Sequence, residues 1–190
     1  ETKHPTYFRS IGKPLEEPLV RILRRNGLDT PKAKIFVQSF EVDNLRALDR
    51  EIDAPIVQLL GGPAGRPADG SGTTYAQMAT PAGLSEIARY ADGVGPSKDY
   101  IVPRAGGTPA RELAPTSFVD DAHRAGLVVH PYTFRNENAF HSAEKQNPGG
   151  PADYGKAFEE YAQFFALGVD GVFADNPDTA VSARGDELAP

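Results

Sequence analysis

The chain has 190 residues, with 26 acidic against 20 basic side chains, which gives a formal net charge of −6. That length fits one domain or a piece of a larger one, and the modest acidity argues against general nucleic-acid binding, which needs basic patches. No apolar run approaches the roughly 18 residues of a membrane helix, and the lack of cysteine excludes disulfides and thiolate chemistry.

The first third of the chain alternates between helical and strand-like apolar patterns. The pair Asn26-Gly27 predicts the end of the first helix, because both residues favour the backbone turn that stops helices. The predicted elements are, in order, a helix carrying Leu15, Leu19, Ile22 and Leu23, a strand over 33–40, a helix carrying Val42, Leu45 and Leu48, and a strand over 56–60.

Residues 61–79 interrupt this rhythm with many glycines and prolines and no period, which predicts a surface insertion loop. The alternation then resumes. Its predicted elements are a helix from Thr80-Pro81, a buried segment over 93–96, a helix carrying Phe118, Val119 and Ala122, a strand over 127–132, a helix striped by Tyr154, Phe158, Tyr161 and Phe165, a strand over 169–173, and a terminal helix from Asn176-Pro177.

Continuously apolar strands between amphipathic helices predict an α/β fold with a parallel sheet covered by helices. A doubly wound sheet and an eight-stranded barrel both fit this pattern. Polar residues at successive strand ends favour the barrel, in which functional residues gather at the C-terminal rim. The chain offers about four or five strands, fewer than the eight of a complete barrel.

Glu1 and Lys3 are two residues apart, so in an extended segment both side chains point to the same face. A carboxylate can ligate Ca²⁺ or Mg²⁺, and a lysine can hold a phosphate group. Taken alone the pair is weak, because exposed charged residues at this spacing are common. His130 ends an apolar strand and is better explained as a core histidine than as a base. Tyr132 follows it and can line a pocket or pack in the core.

Taken together, the strand ends resemble the glycerophosphodiester phosphodiesterases, especially the periplasmic or secreted bacterial type. The resemblance covers essentially the whole chain. It rests on these segments in order: Glu1-Thr2-Lys3, Phe36-Val37-Gln38-Ser39-Phe40, Val57-Gln58-Leu59-Leu60, Tyr90-Ala91-Asp92-Gly93-Val94-Gly95-Pro96, Val128-Val129-His130-Pro131-Tyr132-Thr133-Phe134-Arg135 and Val169-Asp170-Gly171-Val172-Phe173-Ala174-Asp175-Asn176-Pro177-Asp178.

The resemblance implies a (β/α)₈ TIM barrel that hydrolyses glycerophosphodiesters to sn-glycerol 3-phosphate and an alcohol. It implies a divalent cation, Ca²⁺ or Mg²⁺, held by carboxylates, and two histidines that act as general acid and base. By the same resemblance, Glu1 is a metal ligand and Lys3 contacts the phosphate or substrate. Gln38 and Tyr132 match positions that face the substrate pocket.

The family's opening motifs, His-Arg-Gly, a Glu-x-Asp pair and a His-Asp pair, precede the Glu-x-Lys and are not in this sequence. The resemblance therefore implies that residues 1–190 are the C-terminal part of one barrel domain whose N-terminal strands are absent. No catalytic residue is assigned in this chain, because the acid/base histidines are expected in the missing part. The isolated chain is expected to be inactive.

An incomplete barrel leaves open sheet edges and exposed apolar surface, both of which favour association. The expected partners are a small-molecule glycerophosphodiester and the N-terminal portion of the same enzyme, as a separate chain or replaced by a second copy. The expected location is secreted or periplasmic. Two alternatives stay open: a related barrel enzyme of the phospholipase D type, and a non-catalytic module that binds phosphate or polyols.

Overall fold

The protein is described by a computed structural model over residues 1–187. Its chain forms two compact units, the first comprising Glu1–Gly95 and Asp120–Val128 and the second Pro96–Val119 and Val129–Pro190. The helices and strands are α1 (Pro5–Ser10), α2 (Glu16–Arg25), β1 (Val37–Ser39), α3 (Val42–Asp49), β2 (Ile56–Leu60), α4 (Tyr75–Met78), α5 (Pro81–Ile87), β3 (Gly93–Pro96), β4 (Arg104–Ala105), β5 (Arg111–Glu112), α6 (Phe118–Arg124), β6 (Val128–Val129), α7 (Ala157–Ala166) and α8 (Pro177–Glu187).

The main sheet has the strand order β1-β2-β3-β6. β1 and β2 run parallel, with Val37 opposite Ile56 and Ser39 opposite Gln58. Every residue of β2 is buried, as expected for a parallel strand that is covered on both faces. Since parallel strands end at one edge, the loops that follow β1 and β2 start from the same edge of the first unit.

The helices of the first unit follow their sequence signals closely. α2 has Glu16 and Glu17 in its first turn and Arg24 and Arg25 in its last, which complements the helix dipole. Its predicted inner face is wrong at one position, because Ile22 is 56% exposed while Val20 and Leu23 are buried.

Residues 61–79 are not irregular throughout. Thr74 and Gln77 form a reciprocal capping box at the N-terminus of the short helix α4, which lies inside the predicted loop. The next helix, α5, begins as predicted: the Thr80 hydroxyl accepts a hydrogen bond from the Gly83 amide, and Pro81 occupies the first turn. Residues 61–74 remain without regular structure.

Two predictions fail in the second unit. The predicted stripe on α7 is wrong at two positions, since Tyr154 lies before the helix and is 67% exposed and Phe158 is 49% exposed, whereas Tyr161 is buried as predicted. The other buried positions of α7 are Ala157, Glu160 and Phe164. The predicted strand over 169–173 is reduced to a single parallel bridge between Phe134 and Ala174, although Phe173 still donates to the Pro131 carbonyl at 3.0 Å.

The strand predicted over 33–40 also shortens, to Val37–Ser39. No helix within residues 1–187 has the length and apolar character needed to cross a membrane.

Candidate active site

Residues 1–3 lie beside the end of β1. The Thr2 amide donates to the Gln38 carbonyl at 2.9 Å, and the Ser39 hydroxyl donates to the Thr2 carbonyl at 3.0 Å. Thr2 is buried, with 7% of its surface exposed, while Glu1 and Lys3 on either side of it are exposed. This alternation places both charged side chains on one face of the segment, as their spacing predicts.

A buried chain of polar groups fixes this segment. The Thr2 hydroxyl donates to Asn44 Oδ1 at 2.5 Å, and the Asn44 amide donates to Glu16 Oε1 at 2.8 Å. The Arg9 guanidinium pairs with the same Glu16 carboxylate. Burial alone would raise the pKa of Glu16, but the hydrogen bonds from Asn44 and Arg9 outweigh it and the pKa falls below its usual value. Connected networks of this kind rigidify their surroundings.

Glu1 and Lys3 open into a cavity of about 260 Å³ in the first unit. The other acidic and basic residues of its lining are His4, Glu41 and Arg66. Neither Glu1, Lys3 nor Arg66 forms an ion pair within residues 1–187. The full lining is Glu1, Thr2, Lys3, His4, Ser39, Phe40, Glu41, Arg66, Ala68 and Tyr75.

Two carboxylates, Glu1 and Glu41, line the cavity, and only Glu1 is without a hydrogen bond or ion pair within residues 1–187. Glu41 is buried, and its Oε2 accepts from the Thr6 amide at 3.0 Å and from the Thr6 hydroxyl. The described residues contain no group of three or more His, Asp or Glu side chains that could hold a metal ion. Glu1 can supply one carboxylate ligand to a Ca²⁺ or Mg²⁺ ion.

The loop after β2 forms one wall of the cavity. Asp69 accepts from the Asp43 amide at 2.9 Å, which ties the loop to the start of α3. The Tyr75 ring packs edge-on against Phe40 at 6.3 Å between centroids. Gly61 is required beneath that ring, since a Cβ there would lie 2.8 Å from it. These contacts hold the loop against the end of β1 and bring Arg66 to the cavity.

Gln38 neighbours this segment without sharing its cavity. Its carbonyl receives the Thr2 amide, but its side chain does not line the 260 Å³ cavity. Within the described residues, the buried Oε1 atom of Gln38 has no hydrogen-bond partner. The side chain leaves β1 on the opposite face from Val37 and Ser39.

Tyr132 belongs to the second unit, where it lines a separate cavity of about 350 Å³. Its amide donates to the Pro96 carbonyl at 3.0 Å, and its carbonyl accepts from the Lys98 amide at 3.1 Å. Each of the three cations in this cavity is paired with a carboxylate. The pairs are Lys98 with Glu160 at 2.7 Å, Arg104 with Asp99 at 2.7 Å, and Arg135 with Asp175 at 2.5 Å.

One of these pairs extends into a buried cluster. The side chains of Lys98 and Glu160 are 9% and 7% exposed, and the second Glu160 oxygen lies 3.8 Å from Nδ1 of the fully buried His141. Burial lowers the pKa of Lys98 and of His141, and the nearby Glu160 charge opposes both shifts. The Lys98 ammonium also lies 5.0 Å from the centre of the Phe134 ring.

His130, which the sequence favours as a core histidine, is 9% exposed and packs edge-on against Phe173 at 6.3 Å. Its pKa is lowered by burial, and the Asp170 charge opposes the shift.

The sequence gives no functional signal at Arg66, and Lys98 ends the segment 93–98, whose glycines lack the spacing of a phosphate-binding loop. Arg66 carries no pattern of its own, since it lies in a loop. Glu160 does carry a signal: it falls three residues after Ala157 and four before Phe164, so an acidic residue occupies the buried face of α7.

Residues 7–179 match the glycerophosphoryl diester phosphodiesterase family. A glycerophosphodiester phosphodiesterase of Arabidopsis thaliana is 34% identical over 188 residues, which cover 92% of this chain and 47% of that protein. One of Haemophilus influenzae is 26% identical over 194 residues, covering 95% of this chain and 50% of that protein. This chain spans about half the length of these curated relatives.

Solved structures show a similar fold. A crystal structure of a protein described as a glycerophosphoryl diester phosphodiesterase, from Silicibacter pomeroyi, superposes with a TM-score of 0.56 at 18% identity. It matches 91% of this chain and 44% of its own. A corresponding structure from Agrobacterium tumefaciens gives a TM-score of 0.55 at 15% identity, over 89% of this chain and 50% of its own.

The predicted fold class, an α/β fold with the parallel strands of a phosphodiesterase TIM barrel, is confirmed. The chain belongs to the glycerophosphoryl diester phosphodiesterase family. Glu1 and Lys3 precede the matched residues, so their roles rest on the geometry of the cavity and on the strand-end resemblance.

Proposed function

We propose that the protein containing this chain hydrolyses glycerophosphodiesters to sn-glycerol 3-phosphate and an alcohol. Family membership over residues 7–179 supports the reaction class. The cavity beside β1 is the observation that links this proposal to particular residues. Glu1 and Lys3 share one face there, and neither has an ion-pair partner within residues 1–187. Charged side chains left without partners at a strand end are available to a ligand.

In this proposal the Lys3 ammonium acts as a point charge that binds a phosphoryl oxygen. A flexible lysine side chain is suited to this role. Glu1 contributes one carboxylate to a divalent cation, Ca²⁺ or Mg²⁺, whose other ligands come from outside the described residues. Such a cation withdraws charge from the phosphoryl group and lowers the pKa of an attacking hydroxyl. The general acid and base are likewise proposed to lie outside this chain.

Gln38 and Tyr132 are proposed to contact the substrate. Tyr132 lines a cavity, and Gln38 carries a buried side-chain oxygen without a hydrogen-bond partner among the described residues. Replacing Tyr132→Phe in the complete protein should lower kcat/KM on glycerophosphodiesters several-fold, about the value of one hydrogen bond. Unchanged kcat/KM would remove Tyr132 from the substrate site.

We further propose that residues 1–190 function with a partner polypeptide, either an N-terminal portion of the same enzyme or a second copy. In support, Tyr7, Ile11 and Ile22 of the first unit are about half exposed. In the second unit, Val181 is exposed at a largely apolar cavity of about 610 Å³ between the end of α7 and α8. An apolar cavity that opens to the surface favours association. A secreted or periplasmic location, suggested by the strand-end resemblance and compatible with the lack of cysteine, is part of this proposal.

The experiment compares the longest natural protein that contains this chain with residues 1–190 alone. Both are assayed for glycerophosphocholine hydrolysis with Ca²⁺, with Mg²⁺ and after chelation. We expect turnover from the longer protein, loss on chelation, and at least a 10²–10⁴-fold deficit for the isolated chain, the usual effect of removing an acid/base group. Glu1→Gln in the longer protein should raise the cation concentration needed for half-maximal rate.

Three outcomes contradict parts of the proposal. Full turnover by monomeric residues 1–190 would place the catalytic groups inside this chain and remove the need for a partner. Hydrolysis of sphingomyelin but not of glycerophosphocholine would favour the phospholipase D type of enzyme. Tight binding of glycerol phosphate by the longer protein, without turnover of either substrate, would favour a non-catalytic binding module.

A further inference from the structure

We propose that Arg66 determines substrate preference by binding an anionic group on the alcohol part of the diester. This inference rests on the proposed function and adds a substrate class to it. Arg66 lines the same cavity as Glu1 and Lys3 but comes from a different segment, the loop that follows β2. Two cations on separate segments can meet two separate anionic groups.

The charge of the substrate supports this assignment. A phosphodiester with a neutral head group carries one formal negative charge. In the proposed function that charge is already met by Lys3 and by the cation that Glu1 helps to hold. Arg66 would then have no anion to neutralise unless the alcohol carries one. A guanidinium is also suited to planar, two-point binding of a phosphate or carboxylate.

Arg66 is held in place while most of its donors stay available. Its Nη1 donates to the Gly72 carbonyl within the same loop, and a guanidinium has five N–H donors. The loop itself is fixed, since the Tyr75 amide donates to the Gly65 carbonyl at 3.0 Å and the Ala76 amide donates to the Pro63 carbonyl at 3.0 Å. Preorganised donors bind a ligand with less loss of entropy than mobile ones.

Three arginines of the second unit differ from Arg66 in this respect. Arg104, Arg111 and Arg135 each pair with a carboxylate, so their charges are internally neutralised. Arg66 has no carboxylate partner within residues 1–187. A cation that faces a cavity and forms no ion pair within residues 1–187 is available to bind an anion.

The test uses the complete protein and a matched pair of substrates, glycerophosphoinositol and a glycerophosphoinositol monophosphate, which differ by one phosphate on the alcohol. We expect the wild type to prefer the phosphorylated substrate in kcat/KM. Arg66→Gln should reduce that preference on the order of 10-fold, the effect of one charge-assisted contact, because glutamine keeps a donor for the Gly72 carbonyl but loses the charge. The preference should also weaken with added salt.

Arg66→Lys keeps the charge and should retain most of the preference. Arg25→Ala, at an exposed arginine near the end of α2 that lines none of the cavities described above, is the matched control and should leave the preference unchanged. All three variants are checked for unchanged unfolding midpoints, and Arg66→Lys keeps the test valid if glutamine destabilises the loop.

Several results would overturn the inference. An equal fall in kcat/KM for both substrates under Arg66→Gln would mean that Arg66 binds the diester itself. No wild-type preference, or a preference unaffected by Arg66→Gln, would remove Arg66 from specificity while leaving the hydrolase assignment intact. No turnover of any glycerophosphodiester would refute the proposed function and this inference together.

Discussion

The two cavities differ in whether their charged side chains are paired. In the first unit, Glu1, Lys3 and Arg66 face a 260 Å³ cavity and form no ion pairs within residues 1–187. In the second unit, the cavity beside Tyr132 is lined by three cations, each neutralised by a carboxylate. A count of charged residues near strand ends would not distinguish these two cavities.

This difference suggests a test for which charged side chains are available to bind a ligand and which ones stabilise the fold. A buried ion pair such as Lys98–Glu160 has already exchanged water for a fixed partner, and a ligand would have to compete with that partner. An exposed, unpaired lysine loses only water when it binds an anion. We therefore expect mutations of the unpaired charged residues in the first cavity to affect activity and mutations that break the ion pairs beside the second to affect stability.

The largest expected effect comes from Glu160→Ala in the second unit. The change leaves the Lys98 ammonium buried without its partner at 2.7 Å, and breaking a buried pair in this way typically costs about 3–5 kcal/mol. The measurement is the free energy of unfolding in urea. Glu159→Ala is the control on the same helix, because its exposed pair with Lys156 at 3.6 Å should be worth about 1 kcal/mol or less. Similar costs for both variants would mean that the buried pair has no special role.

Lys3→Ala tests the opposite half of the comparison. The exposed side chain has no partner to lose, so the free energy of unfolding should change by less than about 0.5 kcal/mol. In the complete protein, kcat/KM on glycerophosphocholine should fall on the order of 10²–10³-fold, the usual cost of removing one charge-stabilising donor. Lys32→Ala, at an exposed lysine outside the cavities described above, should alter neither quantity. A loss of stability without a loss of activity would reverse the roles assigned to the two cavities.

Asn44→Leu tests what supports the first cavity. The variant removes the partner of the Thr2 hydroxyl and one donor to Glu16, both in a buried setting. Leaving such groups unsatisfied costs about 1–3 kcal/mol, and activity should fall as well because residues 1–3 lose their anchor. Asp49→Ala at the exposed end of the same helix is the control. Normal activity in a destabilised Asn44→Leu protein would show that the network does not position Glu1 and Lys3.

Local signals in the sequence predict most of this fold. Apolar spacing and the Asn26-Gly27 stop place α2, and the Thr80-Pro81 pair places α5 at its observed start. The errors have physical causes. Periodicity marks apolar residues but does not tell which of them pack inward, so it predicts a buried Ile22 that the structure exposes. Periodicity also does not fix where a helix begins, and Tyr154 is exposed because α7 starts only at Ala157.

The candidate site is less predictable because it depends on contacts between distant segments. The Glu1 and Lys3 spacing correctly predicts a shared face, since it needs only the period of an extended chain. Arg66 reaches their cavity only because Asp69 and Tyr75 fix its loop against α3 and β1. Convergence of Gln38, Lys3 and Tyr132 on one pocket stays a prediction.

The smallest expected effect is a dependence of stability on pH in the second unit. Burial lowers the pKa of His141 and His130 below the ordinary 6.5. Beside His141, Glu160 favours the charged ring and Lys98 disfavours it; beside His130, Asp170 favours the charged form. Between the lowered pKa and 6.5 the unfolded chain binds more protons than the folded one, so this contribution to stability is complete above about pH 6.5 and is lost as pH falls.

Each histidine can contribute a slope of at most about 1.4 kcal/mol per pH unit. Urea unfolding of the complete protein between about pH 7.5 and 5.5 measures this slope. Carboxylates interfere little in this range, because their ordinary pKa is about 4. We expect His141→Gln to flatten the slope, whatever its effect on absolute stability. An unchanged slope in His141→Gln would mean that the ring is as easily protonated in the folded protein as in the unfolded chain.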